Sequence, residues 1–412
     1  MSQIDSHWSF ISKGDLIPYG FKFAGISAGL KDSKKKDLAL ILAPEGTICS
    51  GMFTQSAVRA SCIDISEERI KRSSGLIRAI LINSGQANAC TGQNGIKHSL
   101  TASSRISELL GISDNEVLIC STGVIGVPIK INNLIGNLPK LISQLKLNNF
   151  HNAAEAILTT DLTLKTIAIE TTIEGRKIRI AGLAKGSGMI YPNMATMLAF
   201  LTCDVGVERK EWDKLISGAV GKSFNSISVD GETSTNDAFI GLNSGKQIDK
   251  KFLPIIKSGI DIVCQNLAKK IARDGEGANC LVEVFVQGTK SSHDAIKMAK
   301  SICNSSLVKT AIHGCDPNWG RIIAAAGNTG IKFKLDDVDL FIGNFQILEK
   351  GKLSDYDSQK VADYMKSRMN GKYLVEDTIL IALNFNSGKS KGTAWGCDLS
   401  KAYIEINSEY TT

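Results

Sequence analysis

Thr196 stands at the mouth of an apolar strand, behind the glycine-rich approach Lys185-Gly186-Ser187-Gly188-Met189-Ile190-Tyr191-Pro192-Asn193-Met194-Ala195. Three features coincide there: flexible glycines, a Pro-Asn turn, and a small residue just before the threonine. A backbone cut between Ala195 and Thr196 would make Thr196 a new N-terminus. Its α-amine, with a reference pKa of about 7.7–8.0, could then act as general base to its own hydroxyl. Such a group transfers acyl units without a Ser-His-Asp set. On residue chemistry alone, a glycine-rich loop entering a core strand is the simpler reading.

Other polar words invite comparable weighing. Ser121-Thr122-Gly123 directly follows an apolar run. A turn there could aim backbone N–H groups and a hydroxyl at a developing oxyanion; a plain strand-ending turn fits as well. Asp230-Gly231-Glu232-Thr233-Ser234-Thr235-Asn236-Asp237 is dense in carboxylates but lacks the spacing of a calcium loop. A polar turn near an active site or a hydrogen-bond network suits it better. Arg273-Asp274-Gly275-Glu276-Gly277 places a carboxylate in a glycine-flanked loop, suited to an ammonium group or to a simple helix end. Gly221-Lys222-Ser223 imitates a phosphate loop, but Ile216 stands where the motif requires glycine. No GxGxxG follows a strand, so nothing supports a dinucleotide site.

The elements that must position these residues alternate between strand and helix, which gives an α/β or α+β class. Apolar runs at Leu38–Leu42, Leu76–Ile82, Val117–Cys120 and Met197–Leu201 read as strands. Leu76–Ile82 is expected to end at Asn83-Ser84-Gly85. Thr166–Ile173 and Lys177–Ile180 alternate around Glu174-Gly175 as a hairpin. Helical spacing marks a segment from Gly95 to a Gly111 cap, a second over Trp212–Val220, a third over Ile260–Ile271 and a fourth over Ala295–Cys303. Val282, Val284 and Val286 alternate as a strand, and Leu340–Leu348 and Thr378–Phe385 are β-rich.

The 412 residues suggest two or three domains, and 43% hydrophobic with 22% charged residues is ordinary for a soluble globular chain. The net charge of +7 is spread out. The only basic run, Lys34-Lys35-Lys36, lacks aromatic neighbours and reads as a solvated loop rather than a nucleic-acid patch. Ten cysteines form no CxxC pair and read as reduced, buried thiols; with five scattered histidines they suggest no metal site. The N-terminus reads as neither signal nor transit peptide, and no run approaches the roughly 18 apolar residues of a membrane span. A cytoplasmic protein with no membrane partner is expected.

Taken together, several words carry a resemblance. They are Asn83–Gly92, Ser121–Gly126, the Lys185–Thr196 segment, Asp230–Asp237 and Arg273–Ala278. Gly314-Cys315-Asp316-Pro317-Asn318-Trp319-Gly320-Arg321-Ile322 and Asn407–Thr412 complete them. In this order, over nearly the whole chain, they resemble the glutamate N-acetyltransferase / ornithine acetyltransferase family. The resemblance implies self-cleavage between Ala195 and Thr196. It implies an α chain of residues 1–195 and a β chain of 196–412, assembled as an α2β2 heterotetramer. It also implies a layered α/β/β/α sandwich of the self-cleaving aminopeptidase/ornithine acetyltransferase type. Residues 196–290 would complete that sandwich, and 291–412 would form a smaller C-terminal α/β domain.

The reaction implied moves acetyl from N-acetylornithine to glutamate through an acetyl-threonine. No cofactor is implied, although some members also accept acetyl-coenzyme A. Carried over by position, Thr196 is the nucleophile, and Thr122 with Gly123 forms the oxyanion hole. Thr159, Lys185, Thr196, Glu276, Asn407 and Thr412 match substrate-binding positions, with Thr160 adjacent to the first. Lys185 suits a substrate carboxylate and Glu276 an ammonium. The chain departs from the family pattern at Thr54-Gln55-Ser56, Ser61-Cys62, Gln86 and Asn279, which leaves substrate tuning open. The competing expectations are an N-terminal-nucleophile aminopeptidase or amidase of related fold, and a non-catalytic binding protein.

Overall fold

Glu174 and Gly175 both adopt positive φ, 50° and 75°. That is the backbone a two-residue hairpin turn demands. They join the strands Lys165–Ile173 and Arg176–Lys185, paired from Ile173 opposite Arg176 to Lys165 opposite Ala184. The hairpin lies inside a six-stranded sheet. Its order is Ser9–Phe10, Lys165–Ile173, Arg176–Lys185, Leu198–Cys203, Ala238–Asn243 and Ile48–Phe53. Only the pair Leu198–Cys203 and Ala238–Asn243 runs parallel. The computed structural model describes residues 7–11, 17–191, 197–369 and 371–409.

A second sheet of four strands runs Lys22–Ile26, Leu38–Leu42, Ala79–Gln86, Val117–Val124. The two sheets share one core. Leu40, Ile41, Leu81 and Ile82 from the smaller sheet join Leu183, Phe200, Ile240 and Leu242 from the larger. Burial of each such side chain is worth about 1.5–3 kcal/mol. The helices Ser61–Arg72, Gly92–Leu110, Ile131–Ser143 and Phe150–Ala156 add Ile63, Ile106, Leu138 and Phe150 to that core. The larger sheet is covered by Arg209–Gly221, whose Trp212 Nε1 donates to Gly241 O at 3.0 Å. It is also covered by the helix Leu253–Arg273, whose Val263 and Leu267 occupy the space a Gly182 Cβ would need. Helix, sheet, sheet and helix form the expected α/β/β/α sandwich.

The chain forms two compact units. The sandwich takes the described residues up to 186, 197–221 and 233–267. The second unit takes 187–191, 222–232, 268–369 and 371–409. Its own sheet runs Lys352–Leu353, Phe345–Glu349, Asp339–Ile342, Thr378–Asn384, Leu281–Thr289, Ser390–Cys397. Val282, Val284 and Val286 face a core completed by Met298, Ala299 and Ile302 of the helix Ser292–Asn304.

Three expectations need correction. The strand expected at Leu76–Ile82 occupies Ala79–Gln86 and runs on through Asn83-Ser84-Gly85. Its parallel neighbour Val117–Val124 likewise carries Ser121-Thr122-Gly123 inside the strand, not in a turn after it. Cys90 is exposed and Cys315 half-buried, while the other eight cysteines are buried. The β-rich run Leu340–Leu348 forms a hairpin as its pattern suggests, turning where Gly343 takes φ 58°. Among the described residues, no helix is long and apolar enough to cross a membrane.

Candidate active site

Polar residues belong in a buried parallel ladder only if their hydrogen bonds are met inside it. Ser84 faces Thr122 and Gly85 faces Gly123 across the two strands. Ser121 Oγ donates to Asn83 Oδ1 at 2.7 Å, and Asn83 Nδ2 donates to Gln86 O at 2.9 Å. Ser84 Oγ donates to Ala156 O at 2.6 Å. Asn236 closes the arrangement, donating through Nδ2 to Ala87 O at 2.6 Å and Ser121 O at 2.9 Å. Gly123 takes φ 127°, and a Cβ there would lie 2.3 Å from the Gly85 carbonyl carbon. Only glycine satisfies both conditions. Thr122 is 8% exposed, so its hydroxyl sits in a largely dry setting. Gln86, a departure from the family pattern, donates through Nε2 to Leu30 O at 2.8 Å.

Lys185 ends its strand buried, and Thr159 lies half-buried in the bend after the helix Phe150–Ala156. Asp161 ties the two regions together. Its carboxylate accepts from Thr159 N at 3.1 Å, Gly186 N at 2.6 Å and Lys165 Nζ at 2.6 Å. The Asp161–Lys165 pair has no exposed side-chain surface. Burial works against the Asp161 charge, but Lys165, Lys185 and the Gly186 amide hold its pKa well below the usual carboxylate range. Asp237, also buried in this unit, behaves oppositely. Burial pushes its pKa well up, against the pull of the Met197 amide and Lys185. Among the described residues, neither of its carboxyl oxygens closes a hydrogen bond.

In the second unit Glu276 and Asn407 meet although 131 residues separate them: Asn407 Nδ2 donates to Glu276 Oε2 at 2.9 Å. The loop carrying Glu276 is stitched to the start of the helix Lys401–Ser408. Ser400 Oγ donates to Gly277 O at 2.7 Å, and Asp398 accepts from Asn279 N at 2.7 Å and Asn279 Nδ2 at 2.8 Å. The residue that departs from the family pattern at 279 therefore still anchors the loop. A Cβ on Gly277, φ 71°, would meet Tyr403 N at 2.6 Å. The same loop holds the approach to Thr196. Glu276 N donates to Ser187 O at 3.0 Å, and the Glu276 carboxylate fills the place of a Gly188 Cβ. Asp230 accepts from Met189 N at 2.6 Å and Ile190 N at 2.8 Å. Burial raises the pKa of Asp230, and also that of Tyr403, which further faces Asp230 and Glu276.

The structure thus joins Thr122 to Gly123, Thr159 to the backbone beside Lys185, and Glu276 to Asn407. Ala195, Thr196 and Thr412 lie outside the described residues. Asp161, Asn236 and Asp237 escaped the sequence reading as individuals. The last two stand in a polar run that was singled out, and the network expected of that run is there. Asp161 had no signal beyond its nearness to Thr159. Among the described residues no group of three or more His, Cys, Asp or Glu is placed to hold a metal.

The ArgJ family model matches residues 22–412. The arginine biosynthesis bifunctional protein ArgJ of Prochlorococcus marinus subsp. pastoris is 76% identical over 98% of this chain and all of that protein. The protein of the same name from Prochlorococcus marinus strain NATL2A is 54% identical over 99% of this chain and 97% of its own length. The chain belongs to the ArgJ family. As a member it is an acyltransferase of arginine biosynthesis. A crystal structure of the family's Bacillus halodurans protein is 35% identical, covers 52% of this chain and 100% of that one, and superposes with a TM-score of 0.48.

Proposed function

We propose that this chain cuts itself between Ala195 and Thr196 and then carries acetyl from N2-acetyl-L-ornithine to L-glutamate on the Thr196 hydroxyl. The observation that supports the reading most strongly is the family match across 22–412, which takes in Thr122, Gly123, Thr159, Lys185, Thr196, Glu276 and Asn407 at once. In the first half-reaction Thr196 Oγ bonds to the acetyl carbon and its proton passes, through the freed α-amine, to the departing ornithine nitrogen. The acetyl C–N bond breaks. In the second, the glutamate amine attacks the ester, the C–O bond breaks and Oγ regains a proton. The Thr122 hydroxyl and Gly123 N–H stabilise the oxyanion of both steps. Lys185 pairs with a substrate carboxylate, and Glu276, backed by Asn407, with the ornithine ammonium. Acetyl-coenzyme A as an alternative donor and a cytoplasmic α2β2 assembly, with Thr412 at the substrate, belong to the same proposal.

Mass analysis after incubation with N-acetylornithine alone tests it. An acetyl group should appear on the fragment that begins at Thr196, with ornithine released before any glutamate is added. Glutamate should then remove that group far faster than water does. Equal deacetylation with and without glutamate would make the protein a hydrolase. Thr196→Ala should remain a single chain, and a cleaved variant would overturn the self-cleavage mechanism.

A further inference from the structure

The bend at 158–161 is gripped from two sides. Lys31 Nζ donates to Leu158 O at 2.6 Å and to Lys36 O at 3.2 Å. Asp161 accepts from Thr159 N one residue further on, and through its other oxygen from Gly186 N, next to Lys185. The Lys31 side chain passes Gly85, where a Cβ would come within 3.2 Å of its Cγ. Gly85 is the strand partner of Gly123. One side chain therefore runs from the oxyanion strands to the Thr159 bend. A single carboxylate anchors both Thr159 and the residue after Lys185.

We infer that Lys31 and Asp161 are positioning residues that clamp the bend at 158–161 and present Thr159 and Lys185 to the carboxylate end of the amino-acid substrates. The inference rests on the proposed reaction for the identity of those substrates. The local charge supports it. Lys31, Lys165 and Lys185 bring three amines to the Asp161 carboxylate, while Asp237, which also faces Lys185, is pushed by burial towards its neutral form. Asp37, the other acid facing Lys31, gives its oxygens to the Ala28, Leu30 and Lys31 amides. A surplus of positive charge suits an anion. Burial brings the Lys31 pKa down to about 8; Asp37 and Asp161 resist that shift, and Lys185 and Lys35 add to it. The Lys31 side of the clamp therefore loses its charge on the alkaline side of neutral.

Ornithine binding, followed by calorimetry from pH 7 to 9, tests the clamp without requiring turnover. Asp161→Asn keeps the size but removes the charge that faces Lys165 and, with its oxygen held by Lys165 and Gly186, sets its NH2 against the Thr159 N–H. It should weaken binding by about 10–100-fold, the range for losing hydrogen bonds to a charged group. Lys31→Met should weaken binding at pH 7 and abolish the share of the alkaline decline that the wild type shows through about pH 8. Lys31→Arg, charged throughout, should keep binding strong to pH 9. Should Asp161→Asn fail to fold, the two Lys31 variants still decide. Variants that bind like the wild type with its pH profile would overturn the clamp, as would a wild type that does not bind ornithine. A wild type that binds ornithine but transfers no acetyl would overturn the reaction and leave the clamp to be judged by its variants.

Discussion

Around Gly123 the backbone itself makes the contact. A Cβ would strike the Gly85 carbonyl carbon at 2.3 Å and Gln86 N at 2.7 Å, in two paired strands that cannot separate without opening the ladder. Around Glu276 a side chain makes the contact. A Cβ on Gly188 would strike the Glu276 carboxylate at 2.4 Å, and that carboxylate can turn away. One region is shaped by main chain and fixed on folding. The other is shaped by rotamers and hydrogen bonds, so it can be disturbed while the fold survives. A group that must meet a charge developing in the transition state benefits from the first arrangement. A group that pairs with a freely diffusing ammonium tolerates the second.

The largest effect should come from Gly123→Ala. The clash is with main chain, and φ 127° is strained for any residue with a Cβ. Stability should fall by roughly 3 kcal/mol or more. Denaturant unfolding measures it. A variant as stable as the wild type would show that the strands at Gly85 and Gly123 can part, which removes the comparison.

Thr122→Ala comes next. It removes a hydroxyl and leaves the ladder intact, so kcat should fall by about 10²–10³-fold, the usual loss for one oxyanion donor. Melting should change little. An unchanged kcat would reject the role of the hydroxyl and leave the oxyanion to backbone N–H groups alone.

Much of this was legible in the sequence, and the failures share a cause. The hairpin at Glu174-Gly175, the helix capped at Gly111 (φ 66°) and the strand Leu38–Leu42 follow from local periodicity and turn residues. The strands through Asn83-Ser84-Gly85 and Ser121-Thr122-Gly123 did not. Their polar side chains look like strand ends until Ser84 Oγ finds Ala156 O and Ser121 Oγ finds Asn83 Oδ1 on the neighbouring strand, both partners distant in sequence. The helix Ile131–Ser143 carries Gly136 and Pro139, both of which argue against a helix locally. Its Leu134, Leu138 and Leu141 are buried in the sandwich core, and that packing decides. The Glu276–Asn407 contact depends on the Ser400–Gly277 bond, a pairing of positions 123 residues apart. The family resemblance is what pairs the two residues as substrate-binding positions; no spacing rule could.

A smaller effect should follow from Gly188→Ala, the counterpart of Gly123→Ala. The new methyl displaces the end of a flexible side chain, so stability should change by less than about 1 kcal/mol. The Glu276 carboxylate would lose its place, and with it the bond from Asn407 Nδ2. KM for N-acetylornithine should rise by about tenfold while kcat moves less, as expected when ground-state binding is lost. A loss of stability equal to that of Gly123→Ala would show that Glu276 is held as rigidly as main chain.

The smallest effect concerns two lysines, one in each unit. Lys31 in the sandwich and Lys300 in the second unit both have their pKa lowered to about 8, in each case mainly by burial. The unfolded chain holds its lysine protons up to about 10.5. Between these values the unfolded state binds more protons than the folded one, so stability from both groups should rise with pH. It should be lost again as pH falls back through about 8. Either lysine replaced by Met should therefore flatten the rise in denaturation midpoint from pH 8 to 10. Ornithine binding then separates the two. Lys300 lies over the Tyr191 ring at 5.2 Å, so Lys300→Met should flatten the stability profile and leave binding as in the wild type. Lys31→Met should flatten the profile and weaken binding, because its amine holds Leu158 O. A Lys300→Met protein that loses ornithine affinity as Lys31→Met does would show that burial of any one amine sets the binding, and that the Lys31 contact has no special part in it.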